Sequence, residues 1–237
     1  MTLVNEPDPA TGLPVGKLVN TWPASRPGEA KLMGRFGHVE KLEERHAAAL
    51  WEAVRGHDAL WVYMNYGPFA DEAAFTAWVR ERAALEDPYS YVVVDGDSDR
   101  AVGIAALMEI RPVMRVIEVG HIVYSPALQR TPLGTEAQFL LARYAFESLG
   151  YRRYEWKCNA LNAASRRAAE RYGFTFEGIF RQHQIIRGRN RDTAWFSILD
   201  SEWPARKRAF ERWLSADNFT AEGKQKQSLA ALRGAPR

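Results

Sequence analysis

The chain has 237 residues, 46% of them apolar, which is enough for one α/β core and short for two. Its single cysteine, Cys158, excludes an internal disulfide and a multi-thiolate metal site, and no apolar run reaches the roughly 18–20 residues that cross a bilayer. The formal charge of +3 is carried entirely by residues 218–237, where Lys224, Lys226, Arg233 and Arg237 oppose Glu222, so residues 1–217 are balanced and show no nucleic-acid footprint.

Residues 1–30 contain Pro7, Pro9, Pro14, Pro23 and Pro27 with little periodicity and read as an extended arm along the edge of a domain spanning 31–217. A first strand is expected over 31–42. Helical spacing follows through Ala47, Leu50, Trp51 and Val54, and Asp71 is placed to cap a second helix carrying Ala74, Phe75, Trp78 and Val79. The period then changes to two. Runs at 89–95, 101–109 and 116–124, separated by turn residues, predict an antiparallel meander. A loop over 125–133 leads to a helix over 134–149 that Gly150 stops. A short strand at 153–158, a helix at 162–172 ended by Gly173, a hairpin of 175–186 with 193–199, and a helix over 204–214 complete the order. Residues 218–237 read as a basic, flexible, solvated tail. The expected fold class is α+β: a central mixed, mostly antiparallel sheet flanked by helices.

Four segments carry a family resemblance: EVGHIVYSP at 118–126, QRTPLGTEA at 129–137, NALNAAS at 159–165 and RYGFTFEG at 171–178. In this order and spacing they resemble the GNAT superfamily of acyl-coenzyme-A N-acyltransferases, and within it the branch of Rim-type ribosomal-protein N-terminal acetyltransferases. The resemblance covers roughly residues 30–215. It implies acetyl-coenzyme A as cosubstrate, no metal, and transfer of the acetyl group to an amine, either a peptide N-terminus or a small molecule. It also implies that Gln129, Arg130, Thr131, Leu133, Gly134 and Thr135 form a phosphate loop, where main-chain N–H groups and a helix N-terminus meet a pyrophosphate. Pro132 stands where relatives have their first glycine and offers no N–H; Arg130 or the hydroxyls of Thr131 and Thr135 are candidates to compensate. By the same resemblance Ile122, Val123 and Tyr124 contact the pantetheine arm, Asn159 and Asn162 hydrogen-bond it, and Ser165 or Tyr172 protonates the departing thiolate. Asn162 also reads as a helix N-cap.

Transfer to an amine needs a deprotonated nucleophile, a polarised thioester and a proton for the leaving thiol. Cys158, alone on a short apolar strand, reads as core, so direct attack in a ternary complex is expected. Glu118, His121 and His183 are the candidate bases. An α-amine, of pKa about 7.7–8.0, needs less help than a lysine at about 10.4. The aromatics Trp51, Trp61, Tyr63, Tyr66 and Phe69 read as core or as lining of an acceptor pocket, and Arg181, Arg187, Arg189 and Arg191 as a solvated hairpin or as contacts for an acidic acceptor or the cofactor's 3′-phosphate. The expected partners are an acyl-coenzyme A and an amine, with neither nucleic acid nor membrane and with a homodimer open. The start of the sequence, without a basic or apolar leader pattern, suggests a cytoplasmic protein. A non-catalytic acyl-coenzyme-A-binding module is the alternative reading, and a ribosome-associated factor using the basic tail is a third.

Overall fold

The computed structural model describes residues 5–234. A small ribbon of β1 (Asn5–Pro7) and β2 (Pro14–Gly16) precedes the main sheet. That sheet is built from β3 (Leu32–Met33), β4 (Gly37–Lys41), β5 (Tyr89–Asp95), β6 (Ala101–Arg111), β7 (Val116–Tyr124), β8 (Arg153–Asn159), β9 (Thr175–Ile186) and β10 (Arg189–Leu199). The spatial order is β3-β4-β5-β6-β7-β8-β10-β9. Neighbours are antiparallel except β7 and β8, which run parallel. A parallel pair needs a crossover, and α3 (Pro132–Arg143) supplies it. The expected mixed, mostly antiparallel sheet is therefore present.

Alternation along the strands divides the core into two layers. On one face, α1 (Ala47–Val54) and α2 (Glu72–Ala83) bury Leu50, Val54, Phe75 and Val79 against Val92, Val94, Ile104 and Val123. On the other, α3 and α5 (Trp203–Leu214) close Leu140, Leu141, Phe210 and Trp213 on Val93, Leu107, Ile117, Val119, Trp156 and Phe196. A fourth helix, α4 (Ala163–Tyr172), joins this second layer through Ala169. The helix starts are capped as their sequences suggest: Asp71 accepts from Ala74 N at 2.8 Å, and Asn162 accepts from Ser165 N at 3.0 Å. Each such cap is worth about 1 kcal/mol. Gly173 ends α4 at φ +95°, a conformation that penalises any Cβ.

Several boundaries differ from expectation for local reasons. The helix expected over 134–149 starts two residues earlier, because Thr131 caps it and Pro132 fills the first helical position, where no N–H is required. Past Arg143 it widens into a π-type turn, Tyr144–Ser148. The strand expected over 31–42 breaks at 34–36, where the Arg35 and Phe36 N–H groups donate to the buried Glu136 carboxylate at 2.6 and 2.7 Å. Gly34 lies so close that a Cβ there would stand 2.3 Å from that carboxylate. The second hairpin strand begins at Arg189, four residues before its expected start.

The arm and tail dock on the domain. Ala24 N donates to Pro112 O at 3.0 Å and Ser25 N to Leu149 O at 2.9 Å, so the last part of the arm is hydrogen-bonded to the domain. The solvated, flexible tail is a correction. Phe219 packs edge-on to Trp213 at 5.3 Å, and α6 (Leu229–Gly234) buries Leu229 and Leu232, two leucines one helical turn apart. Arg233 donates to Glu170 O at 2.7 Å. Residues 1–4 of the arm and 235–237 of the tail lie outside the described residues.

Candidate active site

The ladder between β7 and β8 lasts four pairs, from Val116↔Arg153 to Val119↔Trp156, and then stops. Beyond it β7 carries a bulge. Ala106 pairs with Gly120 and Ile104 with Val123, so His121 and Ile122 stand opposite Ala105 alone. His121 sits at φ +49°, in the left-handed region that a non-glycine residue adopts only under constraint. From Gly120 onward β7 and β8 no longer pair, and a splay opens between them. Val123 is buried among the α1 and α2 side chains. Ile122 and Tyr124 pack on the opposite layer.

At the end of the splay the chain turns into α3. Gln129 Nε2 donates to Tyr124 O at 2.8 Å and so fixes the loop to the strand end. Thr131 Oγ1 donates to Leu128 O at 2.7 Å and accepts from Gly134 N at 3.1 Å. Thr135 Oγ1 donates to Thr131 O at 3.5 Å and accepts from Arg171 Nη1 at 3.0 Å. Both hydroxyls considered as replacements for the N–H lost at Pro132 are thus engaged within the protein. Arg130, exposed at φ +62°, makes no side-chain hydrogen bond or ion pair with a described residue. Gly134 has no room for a side chain, since a Cβ would lie 2.8 Å from Leu128 O. Gln138, one turn into α3, donates to the Tyr124 hydroxyl at 2.7 Å while its own Oε1 is buried without a partner among the described residues.

On the β8 side, Asn159 Oδ1 accepts from Leu161 N at 2.9 Å. Ser165 Oγ accepts from the Trp156 indole at 3.0 Å. An indole N–H can only donate, so the serine's own proton is left for a second acceptor. Cys158 is buried beside it, and burial raises the thiol's pKa. Tyr172, at the end of α4, has its ring between Trp156 (6.0 Å) and Phe210 (6.4 Å) and its hydroxyl beside Thr135 at the start of α3, and burial raises its phenol's pKa. Ser165 and Tyr172 therefore do not serve one position.

Glu118 occupies the other face of the sheet, because its β7 neighbours Ile117 and Val119 point into the α3 layer. It is buried, 4% exposed, and its Oε2 lies 2.8 Å from Lys157 Nζ. Burial outweighs that cation and pushes its pKa up to about 7. His121 goes the other way: burial, with the nearby Arg82 and Arg191, holds it down to about 4, and its Nδ1 lies 2.9 Å from the Tyr66 hydroxyl. His183 bonds Thr193 Oγ1 at 3.0 Å, beside Phe180 and Trp195.

The aromatics between α1 and α2 do two things. Trp61 is buried and meets Tyr66, Phe69, Phe75 and Trp78 edge-on at 5.3–6.4 Å, a satellite core. Its rim reaches the splay: Tyr66 stacks on His121 at 5.5 Å and Tyr63 Oη donates to Leu161 O at 3.3 Å. From the other side Arg187 donates to Tyr66 O at 2.6 Å and also to Gly67 O. The α1–α2 connection thus bridges to both the β8–α4 loop and the β9–β10 hairpin. Arg191 departs from the expectation of a solvated hairpin: it is half-buried, and its charge is felt at Cys158, Glu118 and His121. No period in the sequence places it there, because the β9–β10 register slips between Arg191 and Thr193.

Comparison with known proteins points in one direction. Residues 38–175 match the family model described as an acetyltransferase (GNAT) domain. The chain is 44% identical to a GCN5-related N-acetyltransferase from Brucella melitensis, with a TM-score of 0.89 over 91% of this chain and 99% of that one. A probable acetyltransferase of the GNAT family from Chromobacterium violaceum is 45% identical, with a TM-score of 0.76 over 81% of this chain and 98% of its own. Among curated proteins, the "Putative ribosomal N-acetyltransferase YdaF" of Bacillus subtilis (strain 168) is 29% identical over 71% of this chain and 94% of its own length.

Proposed function

Because this chain belongs to the GNAT acetyltransferase domain family, we propose that it transfers the acetyl group of acetyl-coenzyme A to an amine by direct attack in a ternary complex. The observation that carries the reading is the ladder between β7 and β8 that stops at Val119↔Trp156, while β7 runs on to Tyr124 and the loop that leads into α3. Main-chain groups buried without partners cost about 1–3 kcal/mol each, and a peptide-like pantetheine satisfies them. In this reading the main chain at Ile122 and the Tyr124 N–H face that arm while Val123, paired with Ile104, holds the strand to β6, and Asn159 and Asn162 offer the amide nitrogens that their turn and cap bonds leave over. Gln129 and Thr131 shape the phosphate loop. The start of α3 at Leu133, Gly134 and Thr135, with Arg130 at its mouth, binds the pyrophosphate.

The amine approaches from the Glu118 face. Its nitrogen lone pair forms the new C–N bond at the thioester carbonyl carbon, and Glu118 takes the amine proton, directly or through one water. As the C–S bond breaks, Ser165 gives its proton to the sulfur and is reprotonated by water, Glu118 releases the amine proton to solvent, and the products are the amide and free coenzyme A. Glu118 is preferred as base because a pKa of about 7 suits neutral pH, whereas His121 at about 4 is a weak acceptor. Ser165 is preferred to Tyr172 because it stands beside β8, where its hydroxyl bonds the Cys158 sulfur and can turn to the departing thiolate. The raised pKa of the Cys158 thiol argues against a covalent enzyme intermediate.

A peptide α-amine is the proposed acceptor class, in keeping with its low pKa and with the name of the B. subtilis relative. Among the described residues no helix is long and apolar enough to cross a membrane, and the proposed setting is the cytoplasm. The open edge strand β9 exposes Phe176, Ile179, Phe180 and Ile185, which supports pairing with a second copy. A thiol-release assay with acetyl-coenzyme A and a panel of amines tests the function. Turnover with one amine class is expected. Thermal stabilisation by coenzyme A with no thiol released from any amine would instead identify a non-catalytic binding module.

A further inference from the structure

Beside the splay, on β10, lies a cation without an anion among the described residues. Arg191 donates through Nη1 to Gln184 Oε1, its ladder neighbour. Its Nε is buried and has no acceptor among the described residues, and it forms no ion pair with any of them. The free edge is therefore Nε with Nη2, the pair of parallel N–H groups that matches the two oxygens of a carboxylate. The surroundings do not neutralise it. Glu118, whose charge reaches Arg191, is already paired with Lys157 at 2.8 Å. Arg82 stacks over the Tyr66 ring at 4.7 Å and Arg187 is bound to main-chain oxygens, and neither has an acidic partner among the described residues. Three guanidiniums thus surround the acceptor side. A charged donor buried without an acceptor is costly, and a native structure retains one where a ligand completes it.

Building on the acetyl-transfer reading of the same site, we propose that the acceptor carries a carboxylate close to the amine that is acetylated, and that Arg191 binds it through its Nε and Nη2 edge. Two sources supply this chemistry: a peptide whose first residues are acidic, and a free α-amino acid with its own carboxylate. Arg191 is then the residue that selects the substrate, and it moves no proton.

The test compares matched acceptors that differ only in that carboxylate. Thiol release is measured with amidated pentapeptides beginning with Asp or Glu against those beginning with Asn or Gln, and with glycine against glycinamide. Binding of each acceptor to the coenzyme-A complex is measured by calorimetry. At least a tenfold preference in kcat/KM for the carboxylate member of one matched set is expected, and that set names the source. Arg191→Gln should abolish the preference while the dissociation constant for coenzyme A stays within twofold, and Arg191→Lys should keep only part of it. Equal use of both members by the wild type, or a preference that survives Arg191→Gln, would overturn the proposal. If no amine is acetylated but wild-type protein still binds the carboxylate members selectively and Arg191→Gln does not, the anion site stands and the catalytic reading fails.

Discussion

Strands β7 and β8 lie side by side for four residues and then part, and the two halves of this strand pair are chemically different. Along the paired half the charges are matched: Glu155 takes Arg111 at 2.6 Å and Arg153 at 2.7 Å, Arg153 also reaches Glu177, and Lys157, the first residue past the last pair, turns back to Glu155 at 3.2 Å and to Glu118 at 2.8 Å. In the parted half the ladder is missing, His121 is held at positive φ, and on the neighbouring β10 the Arg191 Nε is buried without an acceptor among the described residues. Both halves come from strands of ordinary β composition. Ion pairs close over the part that holds the sheet together, and beside the parted half a guanidinium N–H is left without an acceptor among the described residues, as at a site that takes a ligand.

The sharpest break of this contrast falls on Glu118, which stands at the boundary. Glu118→Gln should lower kcat by roughly 10²–10⁴ while leaving the KM for acetyl-coenzyme A nearly unchanged, as expected for loss of a positioned base. The wild-type rate should rise as pH passes about 7, where Glu118 loses its proton, and the variant should lack that limb. The stability effect has the opposite sign. A carboxyl whose folded pKa is raised contributes stability at low pH that is lost as pH climbs from the ordinary carboxylate range through 7. Denaturant titrations should therefore show a flatter stability profile for Glu118→Gln over that interval than for wild type.

A smaller effect is expected across the splay. Ser165→Ala should cost roughly 10²-fold in kcat, at the lower end for a positioned acid, and Tyr172→Phe much less; a pair of steady-state measurements distinguishes the two donors, and a larger loss at Tyr172 would reverse the assignment. At the mouth of α3, Arg130→Ala should weaken coenzyme A about tenfold, near 1.4 kcal/mol, without changing kcat. Calorimetry showing unchanged affinity would return the pyrophosphate to main-chain donors alone. Least of all should Cys158→Ala matter, with thiol release within twofold of wild type, since a burst of acetyl-enzyme would require a thiolate that burial disfavours.

How much of this the sequence discloses follows from the range of the interactions involved. Caps and stops are local, so Asp71, Asn162, Gly150 and Gly173 announce their helices, and the period-two runs announce β5, β6 and β7. Thr131 and Pro132 read as loop residues although they are a cap and a first helical residue, a pairing that only the α3 geometry reveals. The charge of the tail makes it read as solvated, because two leucines among polar residues are a weak signal until α4 and α5 provide a surface for them. Arg191, Lys157 and the β7 bulge lie beyond local reading altogether: their roles depend on which strands are neighbours and in what register.

The most direct test is a crystal structure of the protein with coenzyme A. We expect the pantetheine arm between β7 and β8, hydrogen-bonded to the main chain past Val119, with the diphosphate at the start of α3 and the sulfur within reach of Ser165 Oγ. A cofactor arm lying anywhere else, with Gly120–Tyr124 untouched, would contradict the account.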